Sequence, residues 1–244
     1  MALLTDRKRR VDQQGRAFAG SQLQIQIYVA RRQAELSAAV AESLSEANLA
    51  PHIRWVAPLE QAKFKEPYDR DFLVVLGLAR HAAELNEFWP NGGPHWDALA
   101  MLGEDAGHSG VLLVEAKSYP KETYGPGCQA KDLVSRQKIL DALDSAKSSY
   151  GVPPETNWTG SLYQYANRLA HVYFLRARLG VPAWLVNICF TGDSSTMPTT
   201  EDGWRGDLPS IKKELGFRET VIPWVVDVIL PAHDRDELLA RNAR

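Results

Sequence analysis

Residues 111–117 read Val-Leu-Leu-Val-Glu-Ala-Lys, four apolar side chains running directly into a carboxylate and an ammonium. Burying Glu115 and Lys117 at the end of such a run is costly unless both charges are used. In an extended chain, positions 115 and 117 project from the same face about 6.6 Å apart, while Ala116 turns the other way. The run therefore predicts a buried strand that delivers a Glu and a Lys to one small site.

The neighbouring sequence supplies a partner strand. Residues 95–102 are mostly apolar, and a polar, glycine-containing link at 103–110 joins them to the first run, which is a hairpin signature. Asp97 lies at the start of that strand, so antiparallel pairing brings its carboxylate to the face of Glu115. Further out, residues 69–88 read as helical with a break near Gly77–Arg80, and they end at Trp89-Pro90 before the turn Asn91-Gly92-Gly93-Pro94. Two amphipathic helices are expected at 131–150 and 161–179, each stopped by glycine and proline, and buried strands at 183–190 and 221–230. Pro223 places the last strand near a sheet edge. A helix at 35–49 and an extended piece at 53–57 precede these elements. Leu23, Ile25, Ile27 and Val29 alternate as in a strand, and the same residues also fit the start of a helix, so their type stays open. The fold class is α/β, a mixed central sheet flanked by helices.

With 244 residues, 45% hydrophobic and 24% charged, the chain suits one large domain over 21–233. Residues 1–20 and 234–244 are expected to be loose, the first carrying Arg7, Lys8, Arg9 and Arg10, the second mostly charged. A formal net charge of -2 provides no global field for nucleic acid or acidic membrane, so any anion site is local. The longest apolar run, 72–79, is too short to span a bilayer, and the N-terminal apolar piece precedes the basic cluster, the reverse of a secretory signal. A cytoplasmic location is expected. Cys128 and Cys189 form neither a disulfide framework nor a metal knuckle: Cys189 reads as core, and Cys128, in a Gly-Pro-Gly loop, has no sequence-near His to activate it.

Two close carboxylates repel unless a cation sits between them, and an all-oxygen pair suits Mg2+ or Mn2+ better than zinc. Asp97 and Glu115 are thus the candidate metal ligands, and Lys117 the group that orients an attacking water or steadies a phosphoryl transition state. The arrangement Pro94-His95-Trp96-Asp97, followed after a loop by Glu115-Ala116-Lys117, resembles the PD-(D/E)XK nuclease superfamily. The resemblance covers roughly 69–190. It implies a restriction-endonuclease-like core, in which a helix precedes the strands and a helix plus a strand follow. It also implies metal on Asp97 and Glu115, water positioned by Lys117, and nucleic acid, DNA first, as substrate. Here two residues separate Pro94 from Asp97, so the literal proline-aspartate pair is absent.

The superfamily often adds an acid on the preceding helix, for which Glu84 and Glu87 are the candidates. A helix glutamine helps organise some of its sites, and Gln164 resembles that residue, with Arg168 standing where a tyrosine is usual. Gln164, Arg168 and His171 share a stripe beside a core face of Leu162, Ala166, Leu169 and Tyr173. Further candidates are His95 beside Asp97, Tyr163 and Tyr165 as stacking rings, Lys131, Ser135 and Lys138 as a phosphate-facing stripe, and the turn Thr191-Gly192-Asp193. For each of these packing, solvation or turn chemistry is the plainer account. Two other classes compete with a nuclease: an inactive binding or regulatory protein on the same fold, and a metal hydrolase of a small phosphorylated compound.

Overall fold

The computed structural model describes residues 10–45, 52–103 and 110–240. Five strands form one mixed sheet in chain order: β1 (Ile53–Ala57), β2 (Ala98–Leu102), β3 (Gly110–Lys117), β4 (Ala183–Thr191) and β5 (Val225–Pro231). The first three pair antiparallel, and β3–β4 and β4–β5 pair parallel. Eight α-helices accompany the sheet among the described residues: α1 (Gly20–Arg31), α2 (Gln33–Ser45), α3 (Asp71–Val75), α4 (Ala82–Phe88), α5 (Leu133–Tyr150), α6 (Tyr163–Tyr173), α7 (Glu201–Glu214) and α8 (Arg235–Leu239). The protein is α/β, with the sheet covered on both faces.

Strand alternation divides the core in two. Leu99, Met101, Val111, Leu113, Ala183 and Leu185 pack with α4, α5, α6 and α7 on one face. Ala98, Ala100, Leu112, Val114, Val186 and Ile188 pack with α1 and α2 on the other. Because both faces are covered, β3 and β4 carry continuous apolar runs instead of alternating polarity. Each fully buried Leu or Val contributes roughly 1.5–3 kcal/mol of transfer free energy.

The expected hairpin of 95–102 with 111–117 forms, in the register Ala98↔Val114, and residues 104–109 of its link lie outside the described residues. The strand is shorter than expected, because His95 bridges Tyr68 instead of continuing along β3. The segment 69–88 breaks as anticipated: Leu76 closes α3, Gly77 sits at φ 72, and a 3-10 turn leads into α4. The ambiguous residues 23–29 are helical, within α1, and are all buried, so no polar face marked the helical period. The helix at 161–179 is α6 followed by a π-helical turn, Phe174–Arg178. Pro223 precedes β5, which is an edge strand. Within the C-terminal stretch expected to be loose, Arg235–Leu239 forms α8, which buries Leu238 with Leu23 and Ile27, and residues 241–244 lie outside the described residues. Among the described residues no helix is long and apolar enough to cross a membrane.

Candidate active site at the end of strand β3

Glu115 and Lys117 occupy the last turns of the pleat in β3, on the face covered by α6. Continuing the register beyond Ala98↔Val114 brings Asp97 opposite Glu115, and the Asp97 N–H donates to Val114 O at 3.2 Å. The next rung is made by a side chain: Ala116 N–H donates to Asp97 Oδ2 at 2.7 Å. That bond fixes the carboxylate at the strand end with one oxygen committed. Among the described residues nothing hydrogen-bonds its Oδ1.

Glu115 is buried and held from both sides. Lys117 Nζ donates to its Oε1 at 2.6 Å, and Arg168 Nε, from α6, donates to its Oε2 at 2.8 Å. Arg168 also donates to the His95 carbonyl at 2.8 Å and lies over the Trp96 ring, 5.4 Å from its centroid. These contacts tie α6, β3 and the entry to β2 into one unit. Ion pairing to Arg168 and Lys117 overrides burial and holds the Glu115 carboxyl below the usual carboxylate range. Burial would drive the Lys117 ammonium down, but Glu115 and Asp97 outweigh it and raise its pKa.

Asp97 moves the other way. Burial, then the negative charge of Glu115, push it up to about 8, against the smaller opposing pull of Lys117. A carboxyl in that state is a site waiting for a cation: the cost of ionising it falls as soon as positive charge arrives. A third acid adds to the demand. Glu66, from the loop before α3, accepts from Gln22 Nε2 at 2.8 Å, is raised by burial, and is close enough to Asp97 to raise it further.

The group opens onto a cleft of about 860 Å³ whose walls include Arg10, Gln22, Glu66, His95, Asp97, Glu115, Lys117, Glu122, Gln164 and Arg168. Asp97, Glu115 and Lys117 therefore meet as the sequence predicts. Gln164 reaches the same cleft but is exposed at its rim, one helical turn from the residue that grips Glu115, which is Arg168. Among the described residues no group of three or more His, Cys, Asp or Glu side chains is arranged to hold a metal ion, so a divalent cation here would rest on Asp97 and Glu115. The donor set fits this: Asp97 Oδ1 is free of hydrogen bonds from described residues, and a carboxylate such as Glu115 has lone pairs beyond those its two cations use.

Other expected residues fall elsewhere. Glu84 is exposed and contacts His81 at 3.1 Å, and Glu87 borders a separate groove with Lys138 and Arg178. The stripe of Lys131, Ser135 and Lys138 divides: the first two line an opening that adjoins Gln164, while Lys138 donates to Asn86 O at 2.8 Å. Tyr165 is buried, its hydroxyl accepting from Asn187 Nδ2 at 2.7 Å, so it is packing and no stacking surface. His171 is buried among Phe72, Phe88, Trp89 and Trp96, and burial lowers its pKa to about 4, which keeps it neutral. Cys128 packs near Tyr163, and buried Cys189 has its thiol pushed up by burial. In the turn after β4, Asp193 accepts from Ser118 Oγ at 2.6 Å and so braces the residue that follows Lys117.

Sequence reading missed Arg168 as a charge partner and Glu66 altogether. Arg168 carried a signal, an arginine one turn after Gln164 beside apolar Leu169. Glu66 sits in a loop without periodicity and carried none. No protein-family model, curated protein or solved structure matches this chain.

Proposed function

We propose that this protein is a metal-dependent nuclease that hydrolyses phosphodiester bonds, acting in the cytoplasm on nucleic acid, DNA first, with Mg2+ or Mn2+. The observation that carries the reading is the pairing of a half-buried carboxyl, Asp97, raised by desolvation and by Glu115, with Glu115 and Lys117 in the wall of an open cleft. Asp97 and Glu115 would hold the ion, with water and a phosphate oxygen completing its oxygen shell. A bound divalent ion supplies charge neutralisation at the phosphoryl oxygens and lowers the pKa of a bound water. Lys117, fixed by its bond to Glu115, orients the attacking water or steadies the developing charge. Arg168 is a positioning residue: it holds Glu115 in place against the sheet. Gln164 stands at the rim where a substrate enters.

The test is cleavage of single- and double-stranded DNA and RNA with and without Mn2+. Lys117→Ala should lower the rate on the order of a hundredfold or more, while Mn2+ affinity by calorimetry changes little, because the ligating oxygens belong to Asp97 and Glu115. Wild-type cleavage rates in the Lys117→Ala protein would end the catalytic assignment.

One observation favours a second reading. Both oxygens of Glu115 are already paired, with Lys117 and Arg168, which is how a carboxylate in a purely structural cluster is treated. A binding or regulatory protein on this fold would show no metal-dependent cleavage, and Lys117→Ala would then lower stability alone.

A further inference from the structure

At the rim of the cleft, two residues before Asp97, the rings of His95 and Tyr68 are stacked, with centroids 4.3 Å apart and planes 26° apart. His95 lines the cleft, both residues are exposed, and Tyr68 keeps 42% of its surface in solvent. Exposed aromatic pairs need a reason, since most large rings in this chain are buried. The pair is held by more than its own contact. Tyr68 and His95 form a β-bridge, Trp96 N–H donates to Pro67 O at 3.0 Å, and Asp69 N–H donates to Pro94 O at 3.0 Å. The His95 carbonyl is in turn gripped by Arg168, which also holds Glu115. The stack is thus tied by backbone hydrogen bonds and by Arg168 to the segment that carries Asp97, two residues further on.

Charge points the same way. Affinity for duplex comes chiefly from cations along the phosphate backbone. The cleft carries Arg10, Lys117 and Arg168 against Glu66, Asp97, Glu115 and Glu122, and the whole chain has a net charge of -2. An exposed aromatic pair beside the cleft can take an unpaired base by stacking, an interaction open to a single strand, whose base faces are free, and closed to the paired and stacked bases of a duplex. We infer that the substrate of this site is single-stranded nucleic acid, with one unpaired base stacked on the His95–Tyr68 pair and the adjoining phosphate directed toward Asp97, Glu115 and Lys117.

This rests on the nuclease reading, and a binding measurement separates the two. Fluorescence anisotropy in EDTA would compare a labelled single-stranded oligonucleotide with its duplex, using wild type, Tyr68→Ala, Tyr68→Phe and His95→Ala, each checked for folding by circular dichroism. The single strand should bind wild type at least tenfold more tightly than duplex. Losing a stacking ring in Tyr68→Ala or His95→Ala should weaken it about 5- to 150-fold, and Tyr68→Phe should restore it. Equal affinity for duplex, or single-strand binding unchanged in both alanine variants, overturns the platform while leaving a nuclease in place. No binding of either form by folded wild type overturns both. Metal-dependent cleavage confined to duplex overturns the inference alone.

Discussion

Two buried charged clusters sit side by side on the same sheet face, and they are built to opposite rules. The row runs Asp97, Glu115, Asn187, Asp227 across β2 to β5, each opposite the next. At the β5 end, Asp227 pairs with Lys212 of α7 at 2.5 Å and accepts from Asn187 Nδ2 at 2.8 Å, while Lys212 also donates to Thr220 O at 2.7 Å. One anion meets one cation, and the remaining donors find acceptors. At the β2 end, Asp97, Glu115 and nearby Glu66 face Lys117 and Arg168, with a cleft in front of them. Balanced, closed clusters stabilise or specify a fold; an acid-rich cluster open to solvent holds a carboxyl away from its preferred state, and that is a feature to be used.

The largest test of the contrast removes a cation from each cluster. Arg168→Met leaves Glu115 buried with only Lys117, and Lys212→Met leaves Asp227 with no ion partner; each should cost about 3–5 kcal/mol in urea unfolding. Their functional effects should part company. At temperatures where both remain folded, Lys212→Met should retain Mn2+-dependent cleavage and Arg168→Met should lose most of it. Loss of cleavage in the folded Lys212→Met protein would make the two clusters equivalent and remove the distinction.

Asp97 supplies the next test, and its sign is fixed by the direction of its shift. Its folded pKa, about 8, lies above the ordinary 3.8, so between those values the folded chain keeps a proton that the unfolded chain releases. Stability from this group is full below about pH 4 and is lost as pH rises through about 8. Asp97→Asn retains an acceptor for Ala116 N–H and removes the repulsion, so it should gain on the order of 2 kcal/mol at pH 9 and little at pH 4. Mn2+ competes with the same proton, so the thermal shift it gives wild type should grow as pH rises toward 8 and vanish in Asp97→Asn. A pH-independent gain in the variant would show that Asp97 does not carry the shift.

Glu66 should give the smallest effect. Glu66→Gln keeps an oxygen for Gln22 Nε2 while deleting a charge that raises Asp97. The midpoint of the pH-dependent loss of stability should move down by less than about one pH unit, equivalent to under about 1.4 kcal/mol. An unmoved midpoint would mean that Glu66 carries no charge while Asp97 titrates.

Much of this was legible in the chain because strand chemistry is local. The run 111–117 announces its own period, and Glu115 and Lys117 share a face by alternation alone; Asp97 followed from a hairpin whose two arms were both apolar. The α5 helix was equally plain, bounded by the Asp132 cap and by Gly151 at φ 68. What failed to show depended on distant packing. The α1 helix is buried all round, so its alternating isoleucines imitated a strand. Arg168 became a partner of Glu115 only because α6 crosses the end of β3, and Glu66 entered through a loop that no periodicity marks. The acids offered in its place, Glu84 and Glu87, had helical context but point away from the cleft.

The row across four strands also makes the site a gauge of correct assembly. Asp97 gains its position from the rung it completes with Ala116, and Glu115 meets Asn187 only in the observed alignment. Sliding β3 by one residue would turn Glu115 and Lys117 toward α1 and α2 and bring Val114 and Ala116 to the cleft. A two-residue slip would keep the face but separate Glu115 from Asp97. Competence at this centre and fidelity of strand alignment are therefore one property, and a misaligned chain would be silent even if it were compact.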